Sequence, residues 1–205
     1  MSPNVNPGGR PRDPELDQRI LAATRQLLAE RGYQGLSIDA VARAAGTTRP
    51  TVYLRFAGKE DLATSAVAAM TVDDPLTATD NVRADLVAEL RHFRTAVTRP
   101  NGLSFVGTVL AEAHLTPSLL ERFRERLVLP LRRRLVAALE GGMDAGTLRP
   151  GLDTEAVATM LVGSLYARYL ASSDVPPDWP ERVVDSLWPA ITSLDTPPAD
   201  AARPR

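Results

Sequence analysis

The chain has 205 residues, with 24 basic and 25 acidic side chains and no cysteine. The lack of cysteine excludes a disulfide scaffold, a thiol nucleophile and a thiolate metal site. Hydrophobic residues make up 44% of the chain and charged residues 24%, which excludes wholesale disorder. No apolar run approaches the ~20 residues of a membrane span, and no secretory signal is recognisable. We therefore expect a cytoplasmic protein without a membrane contact.

Charge is distributed unevenly along the chain. Residues 1–62 carry nine basic and seven acidic groups, whereas the remainder carries 15 basic and 18 acidic groups. Between Arg43 and Lys59 there are four basic residues and no acidic one. A small positive face on an acidic body is typical of a protein that touches nucleic acid with one end. Chance clustering on a solvated face explains the charge pattern equally well.

The first third of the chain predicts a flexible arm, residues 1–13, followed by four helices. Asp13 is a good N-cap, Pro14 suits the first helical position, and Gly32 suits the end of the first helix. Ser37 and Thr48 offer caps for the next two helices. The predicted short helices are 38–45, 49–56 and 59–70.

The rest of the chain also has helical periodicity. Pro130 is expected to kink or split one long helix and Pro189 to bend the last one. Asp153 is a candidate N-cap. The predicted helices are 80–98, 104–114, 117–140, 153–170 and 180–194. The sequence therefore predicts an all-α protein of about nine or ten helices.

Residues 37–56 contain the most informative pattern. Two helices of about two turns each are too short to be stable alone, so they must pack on each other and on the first helix. Gly46 permits the left-handed backbone of a sharp turn, and Ala42 permits close helix approach. The predicted shared core is Val41, Ala45, Val52 and Phe56. The exposed second helix is thin enough for a DNA major groove, which predicts a helix-turn-helix; a generic helical hairpin is the alternative.

The exposed side chains of this segment suit contacts with DNA. Ser37 and Thr48 cap helices whose N-termini can direct N–H groups at phosphates. Arg49 and Arg55 are candidates for guanine edges or phosphates, and Lys59 for a phosphate. The full set of candidate DNA-binding residues is Ser37, Thr47, Thr48, Arg49, Pro50, Thr51, Tyr53, Leu54, Arg55 and Lys59.

Two further features bear on DNA contact. Thr51 suits a thymine methyl group or a phosphate, and Tyr53 offers a ring for packing and a hydroxyl for a phosphate. Arg10 and Arg12 in the arm could reach a minor groove, although a disordered tail is the alternative.

An ordered series of short motifs runs through residues 14–74. The motifs are Gly32-Tyr33, Leu36-Ser37-Ile38, Ala40-Val41-Ala42, Ala45-Gly46, Arg49, Thr51-Val52-Tyr53, Phe56 and Lys59-Glu60-Asp61-Leu62. This series resembles the N-terminal DNA-binding domain of tetracycline-repressor-like (TetR/AcrR) regulators. The resemblance implies DNA contacts by Thr48, Arg49, Thr51, Tyr53 and Lys59. The sequence departs from the family pattern at Thr47, Pro50, Leu54 and Arg55, which leaves the operator sequence open.

The resemblance implies that residues 75–195 form a helical regulatory domain that binds a small ligand and dimerises through the last two helices. Residues 146–170 are similar to the C-terminal regulatory region of one large subgroup. From the residues alone, apolar stripes and small side chains on these helices fit a dimer bundle, and an ordinary intramolecular core is the alternative. A two-fold dimer doubles the DNA site that one short helix can read. The candidate interface residues are Val157, Ser164, Leu165, Val184, Leu187, Trp188 and Ile191.

A ligand cavity is expected among the helices of residues 80–170. Candidates for its lining are Leu90, Phe93, Phe105, Val109, His114, Phe123, Leu127, Met160, Leu161 and Tyr166, with His92 and Tyr169 as further polar candidates. For each of these residues, plain core or surface is the open alternative. The two histidines lack carboxylate neighbours at ligand spacing, so we expect no metal site and no cofactor.

These observations favour a homodimeric repressor that a small-molecule ligand releases from a palindromic operator in double-stranded DNA. The alternative is a DNA-binding factor without a small-molecule effector. The sequence has no nucleophile elbow, phosphate loop or HExxH motif, so we expect no catalytic residues and no enzyme activity. Residues 196–205 are expected to form a disordered tail.

Overall fold

The computed structural model describes residues 13–69, 79–99, 102–172 and 174–192. Within these ranges the secondary structure is helical apart from one isolated bridge between Leu148 and Thr192, so the predicted all-α fold is confirmed. The chain divides into two compact units, the first of which ends at Ala69. The predicted arm, with Arg10 and Arg12, and the predicted tail, residues 196–205, lie outside the described residues.

The first unit contains four helices whose ends follow the predicted signals. Asp13 Oδ1 accepts hydrogen bonds from the N–H groups of Glu15 and Leu16, which caps the first helix. This helix ends at Gly32, whose φ of 66° lies in the left-handed region. The helices are α1 (Pro14–Arg31), α2 (Ile38–Ala44), α3 (Arg49–Tyr53) and α4 (Lys59–Ala68). Helix α3 is therefore three residues shorter than predicted.

The core of the first unit joins all four helices. Helix α1 packs against α2 and α4, and α2 packs against α3. Each helix contributes one fully buried apolar side chain to this core, namely Ile20, Val41, Val52 and Leu62. Val52 is the one buried residue of α3, so few contacts fix the orientation of this helix.

The second unit contains six α-helices among its described residues. They are α5 (Val82–Thr98), α6 (Gly102–Glu112), α7 (Pro117–Phe123), α8 (Leu129–Asp144), α9 (Thr154–Ser172) and α10 (Trp179–Ile191). A π-helical segment, Arg124–Val128, joins α7 to α8. It directly precedes Pro130, whose ring cannot donate a hydrogen bond to the carbonyl four residues earlier and clashes with it. A wider turn therefore takes the place of the predicted kink.

The core of the second unit is formed mainly by α5, α8, α9 and α10. Helix α5 packs against α6, α8, α9 and α10. Leu86 and Leu90 of α5, Leu135 of α8 and Leu165 of α9 are fully buried in one apolar cluster. Helix α5 is thus the central helix of this unit.

This core corrects part of the predicted dimer interface. Val157, Leu165, Val184 and Ile191 are all buried within the apolar cluster of a single chain. A side chain already buried in its own chain has no surface left for a partner, so the intramolecular alternative holds for these four residues. Leu187 and Trp188 pack partly buried against the same cluster, and Ser164 is partly buried.

Candidate nucleic-acid interface

The turn between α2 and α3 is a glycine-centred helix end. Gly46 has a φ of 64°. Its N–H donates to the Arg43 carbonyl at 3.2 Å, and the Thr47 N–H donates to the Ala42 carbonyl at 2.9 Å. This pair of hydrogen bonds is the Schellman pattern, which terminates α2 and redirects the chain within two residues. The turn therefore sets where α3 begins.

Both predicted caps are formed. The Ser37 hydroxyl accepts from the Ala40 N–H at 3.2 Å. The Thr48 hydroxyl accepts from the Thr51 N–H at 3.4 Å and lies 2.8 Å from the Thr51 hydroxyl. These bonds satisfy N–H groups that a helix start otherwise leaves unpaired.

Helix α3 presents one polar face away from the core. Tyr53 is 46% exposed and Leu54 is 80% exposed. Thr48, Arg49 and Pro50 are exposed as well, whereas Thr47 and Thr51 are half-buried. An apolar side chain as open as Leu54 suits contact with a thymine methyl group.

Arg49 is exposed but held in place by its neighbours. Its Nη1 donates to Asp39 Oδ2 at 3.3 Å, and its Nη2 lies 3.5 Å from the Tyr53 hydroxyl. The guanidinium carbon lies 5.5 Å from the centre of the Tyr53 ring. The hydroxyl of Tyr53 and then the carboxylate of Asp39 raise the pKa of Arg49 above its ordinary value. The guanidinium is therefore a fixed cation at the start of α3.

Arg55 corrects the prediction of an exposed arginine. Its side chain is only 14% exposed, and its Nε donates to Asp17 Oδ1 at 2.5 Å. Its Nη1 also donates to the Thr51 carbonyl at 3.4 Å. Arg55 therefore connects the end of α3 to the first turn of α1, instead of pointing away from the unit.

Lys59 lies at the start of α4 beside the loop that follows α1. Its ammonium group donates to the Gln34 carbonyl at 3.4 Å and lies 4.3 Å from the centre of the Tyr33 ring. The Tyr33 hydroxyl in turn donates to Glu60 Oε1 at 3.2 Å. These contacts hold the lysine charge near the surface of the first unit.

The predicted ligand-pocket residues form two aromatic contacts in the second unit. The rings of Phe93 and Tyr166 meet edge to face with centroids 5.5 Å apart. The rings of Phe105 and Phe123 lie 6.1 Å apart. Burial raises the pKa of Tyr166 above its ordinary value because it disfavours the phenolate.

The remaining pocket candidates differ in their burial. Leu90, Leu161 and Val109 are buried, and Leu127 and His92 are half-buried. His114 and Met160 are exposed, Met160 by 53%, which corrects the expectation that they line an enclosed cavity. Tyr169 also lies at the surface.

Glu89 is a buried charged residue that the sequence analysis missed. It is 5% exposed, and its Oε1 accepts from Arg134 Nε at 2.6 Å. Its second oxygen, Oε2, is buried without a hydrogen-bond partner among the described residues. The signal was available, because Glu89 lies in the inward stripe of α5 between Leu86 and Phe93.

The geometry of the first unit defines a helix-turn-helix protein. Two short helices joined at Gly46 present an exposed second helix with polar, cationic and aromatic side chains, which is the arrangement that enters a DNA major groove. Among the described residues there is no cluster of three metal-ligating side chains, and no helix has both the length and the apolar composition of a membrane span.

Comparison with known families gives the family. The family model "Bacterial regulatory proteins, tetR family" matches residues 20–66, and the model "Tetracyclin repressor-like, C-terminal domain" matches residues 76–187. The second match covers more than half of the chain. The chain therefore belongs to the TetR family, and it is a DNA-binding transcriptional regulator and not an enzyme.

Individual relatives agree with this assignment. The uncharacterized HTH-type transcriptional regulator YdeS of Bacillus subtilis (strain 168) is 27% identical over 81% of this chain and 84% of its own length. The solved TetR family transcription regulator SCO0332 is 27% identical, with a TM-score of 0.65 over 87% of this chain and 100% of that structure. The solved flavonoid-responsive regulator FrrA shares the fold at 24% identity, with a TM-score of 0.64 over 89% of this chain and 100% of that structure.

Proposed function

We propose that the protein is a homodimeric repressor that grips a palindromic operator with α3 and is released by a small-molecule ligand. The exposed face of α3, which begins at Thr48 and includes Arg49, Tyr53 and Leu54, is the observation that carries the proposal. A five-residue helix covers only a few base pairs. A second copy related by two-fold symmetry doubles the number of bases contacted.

A strip along α9 supports the dimer. Ala156, Met160, Gly163, Ala167 and Ala171 recur every three or four residues and so share one side of the helix. Met160 is half-exposed, and a Cβ atom built on Gly163 would have no neighbour within 4 Å. This side is therefore uncovered within one chain, and its small residues permit close approach of a second helix.

The half-satisfied carboxylate of Glu89 supports a ligand site in the second unit. A buried oxygen without a partner carries a desolvation cost that a ligand's hydrogen-bond donor would relieve. Phe93 lies one helical turn after Glu89 on α5, and its ring meets that of Tyr166. These groups fit a ligand that has an aromatic or aliphatic body and a hydroxyl or amine donor. FrrA, which shares the fold, is named as flavonoid-responsive.

Release from DNA follows from linkage between the two binding events. A ligand that binds more tightly to a state with low DNA affinity raises the population of that state. The change in DNA affinity cannot exceed the ratio of the ligand's affinities for the two states. DNA must weaken ligand binding by the same factor, so the coupling is measurable from either side.

The first test is selection of genomic fragments by the purified full-length protein at ~100 mM salt, since phosphate contacts weaken steeply with ionic strength. We expect enrichment of one inverted-repeat sequence, bound by two copies of the chain. Enrichment of single half-sites bound by one copy would contradict the dimer. Failure to enrich any sequence from ligand-free protein would contradict specific DNA binding.

The second test addresses the ligand. Compounds that raise the melting temperature of the protein are assayed for release of the selected fragment, first with the wild type and then with Glu89→Gln. We expect at least one releasing compound, and weaker binding of it to the variant. If no compound both stabilises the protein and releases the DNA, the alternative of a factor without a small-molecule effector is favoured.

A further inference from the structure

We propose that Arg55 is a positioning residue, which sets the orientation of α3 through its ion pair with Asp17 and does not itself contact DNA. The proposal rests on the DNA-binding function and identifies which of the two arginines near α3 reads the groove. Its starting point is the contrast between Arg49, exposed on α3, and Arg55, enclosed against α1.

The contact geometry joins two helices through one side chain. Arg55 Nε donates to Asp17 Oδ1 at 2.5 Å, while Nη1 of the same guanidinium donates to the Thr51 carbonyl within α3. The side chains are 14% and 29% exposed, so water screens the pair less than it screens a surface pair. One guanidinium thus links the last turn of α3 to the first turn of α1.

The small size of α3 makes this link important. The helix has five residues and buries only Val52. With so little apolar area to fix it, a charged hydrogen bond at its end contributes a large part of its orientational restraint. A shift of about 1 Å in a reading helix is enough to misalign its hydrogen bonds with base edges.

The pair also controls charge where DNA approaches. Asp13, Glu15 and Asp17 place three carboxylates at the start of α1. Asp17 is the one held against the α3 segment, and an unpaired carboxylate there would repel phosphates. Moving Arg55 to a phosphate would break the pair and leave Asp17 partly buried without its cation, which is costly. The geometry therefore favours retention of the pair in the DNA complex.

The test depends on the sign of the effect of Asp17→Asn. This change removes a negative charge close to a polyanion, so electrostatics alone predicts tighter binding. A positioning role predicts the opposite, a loss of about tenfold in affinity for the selected fragment, because the amide cannot hold the guanidinium as the carboxylate does. Glu15→Gln is the matched control: it makes the same charge change at an exposed position of the same turn, and we expect equal or slightly tighter binding.

Arg55→Gln and the double variant complete the cycle. We expect Arg55→Gln to lose about as much affinity as Asp17→Asn, and the double variant to lose no more than either single variant. The slope of log affinity against log salt concentration should remain that of the wild type. Loss of a phosphate contact would instead reduce the slope by about 0.9.

Several outcomes would overturn the proposal. Tighter binding by Asp17→Asn, a reduced salt slope for Arg55→Gln, or lost preference at a single base pair would each make Arg55 a DNA contact. Wild-type binding to the fragment is measured first, so failure of DNA binding itself is recognised separately. If thermal unfolding shows that Arg55→Gln does not fold, the sign of the Asp17→Asn effect decides alone.

Discussion

Two arginines of the same segment have different environments, and the sequence did not distinguish them. Arg49 and Arg55 both follow the predicted turn at helical spacing, and both are cations in a stretch without acidic residues. The partner of Arg55, Asp17, is 38 residues away along the chain. Local periodicity carries no information about such a partner, so the burial of Arg55 became apparent only from the packing of α1 against the segment.

Arg49 is the residue for which we predict base recognition. Arg49→Lys keeps the charge but loses the planar fork that bonds to two acceptors of guanine. We expect discrimination at one base pair of the operator to fall by about 1–3 kcal/mol, with little change in non-specific affinity. Affinities measured on a set of single-base operator variants test this. Arg43→Lys, on the exposed side of α2, is the control and should leave every base preference unchanged.

An equal loss of affinity on all operator variants would assign Arg49 to a phosphate. In that case the readout at the start of α3 would depend on Thr48 and Thr51, whose hydroxyls already bond to each other. Tyr53, which lies next to the guanidinium, would then have no cation to orient.

At the level of helices, starts and turns were predictable and some lengths were not. Asp13, Ser37 and Gly46 have the predicted roles because caps and left-handed turns depend on short-range chemistry. The end of α3 at Tyr53 was missed, since nothing in the next three residues excludes a helix. The π-helical segment before Pro130 was also missed, because a proline predicts a disturbance and not its form.

The Gly46 turn gives a test at this level. A Cβ at Gly46 would meet no atom within 4 Å, so the cost of Gly46→Ala comes from the backbone alone. Its φ of 64° is unfavourable for any residue with a Cβ, and we expect a loss of about 1–2 kcal/mol in the free energy of unfolding. Urea denaturation followed by far-ultraviolet circular dichroism measures this.

Gly107→Ala is the matched control for the Gly46 variant. Gly107 lies within α6, and a Cβ there also meets nothing within 4 Å. Alanine should therefore stabilise the helix by about 0.5–1 kcal/mol. Equal stability of Gly46→Ala and the wild type would show that the α2–α3 turn relaxes to another conformation.

At the level of the whole molecule, the sequence indicated an association surface but did not identify its side. Helix α9 has apolar or small residues around most of its circumference, so periodicity alone could not separate the inward stripe from the outward one. The structure buries Val157 and Leu165 and leaves Met160 and Gly163 on the open side. The proposed dimer surface therefore lies on α9 beside the residues first predicted.

Gly163→Glu tests that surface without disturbing the single chain. The side chain has open space at this position, and glutamate is a better helix former than glycine, so the fold should be at least as stable as the wild type. Two copies of the new carboxylate would meet in a close helix pair, and burying them is costly. We expect monomers by sedimentation and a large loss of operator affinity. Gly107→Glu adds the same charge on α6 and should remain dimeric; a dimeric Gly163→Glu would move the interface away from this side of α9.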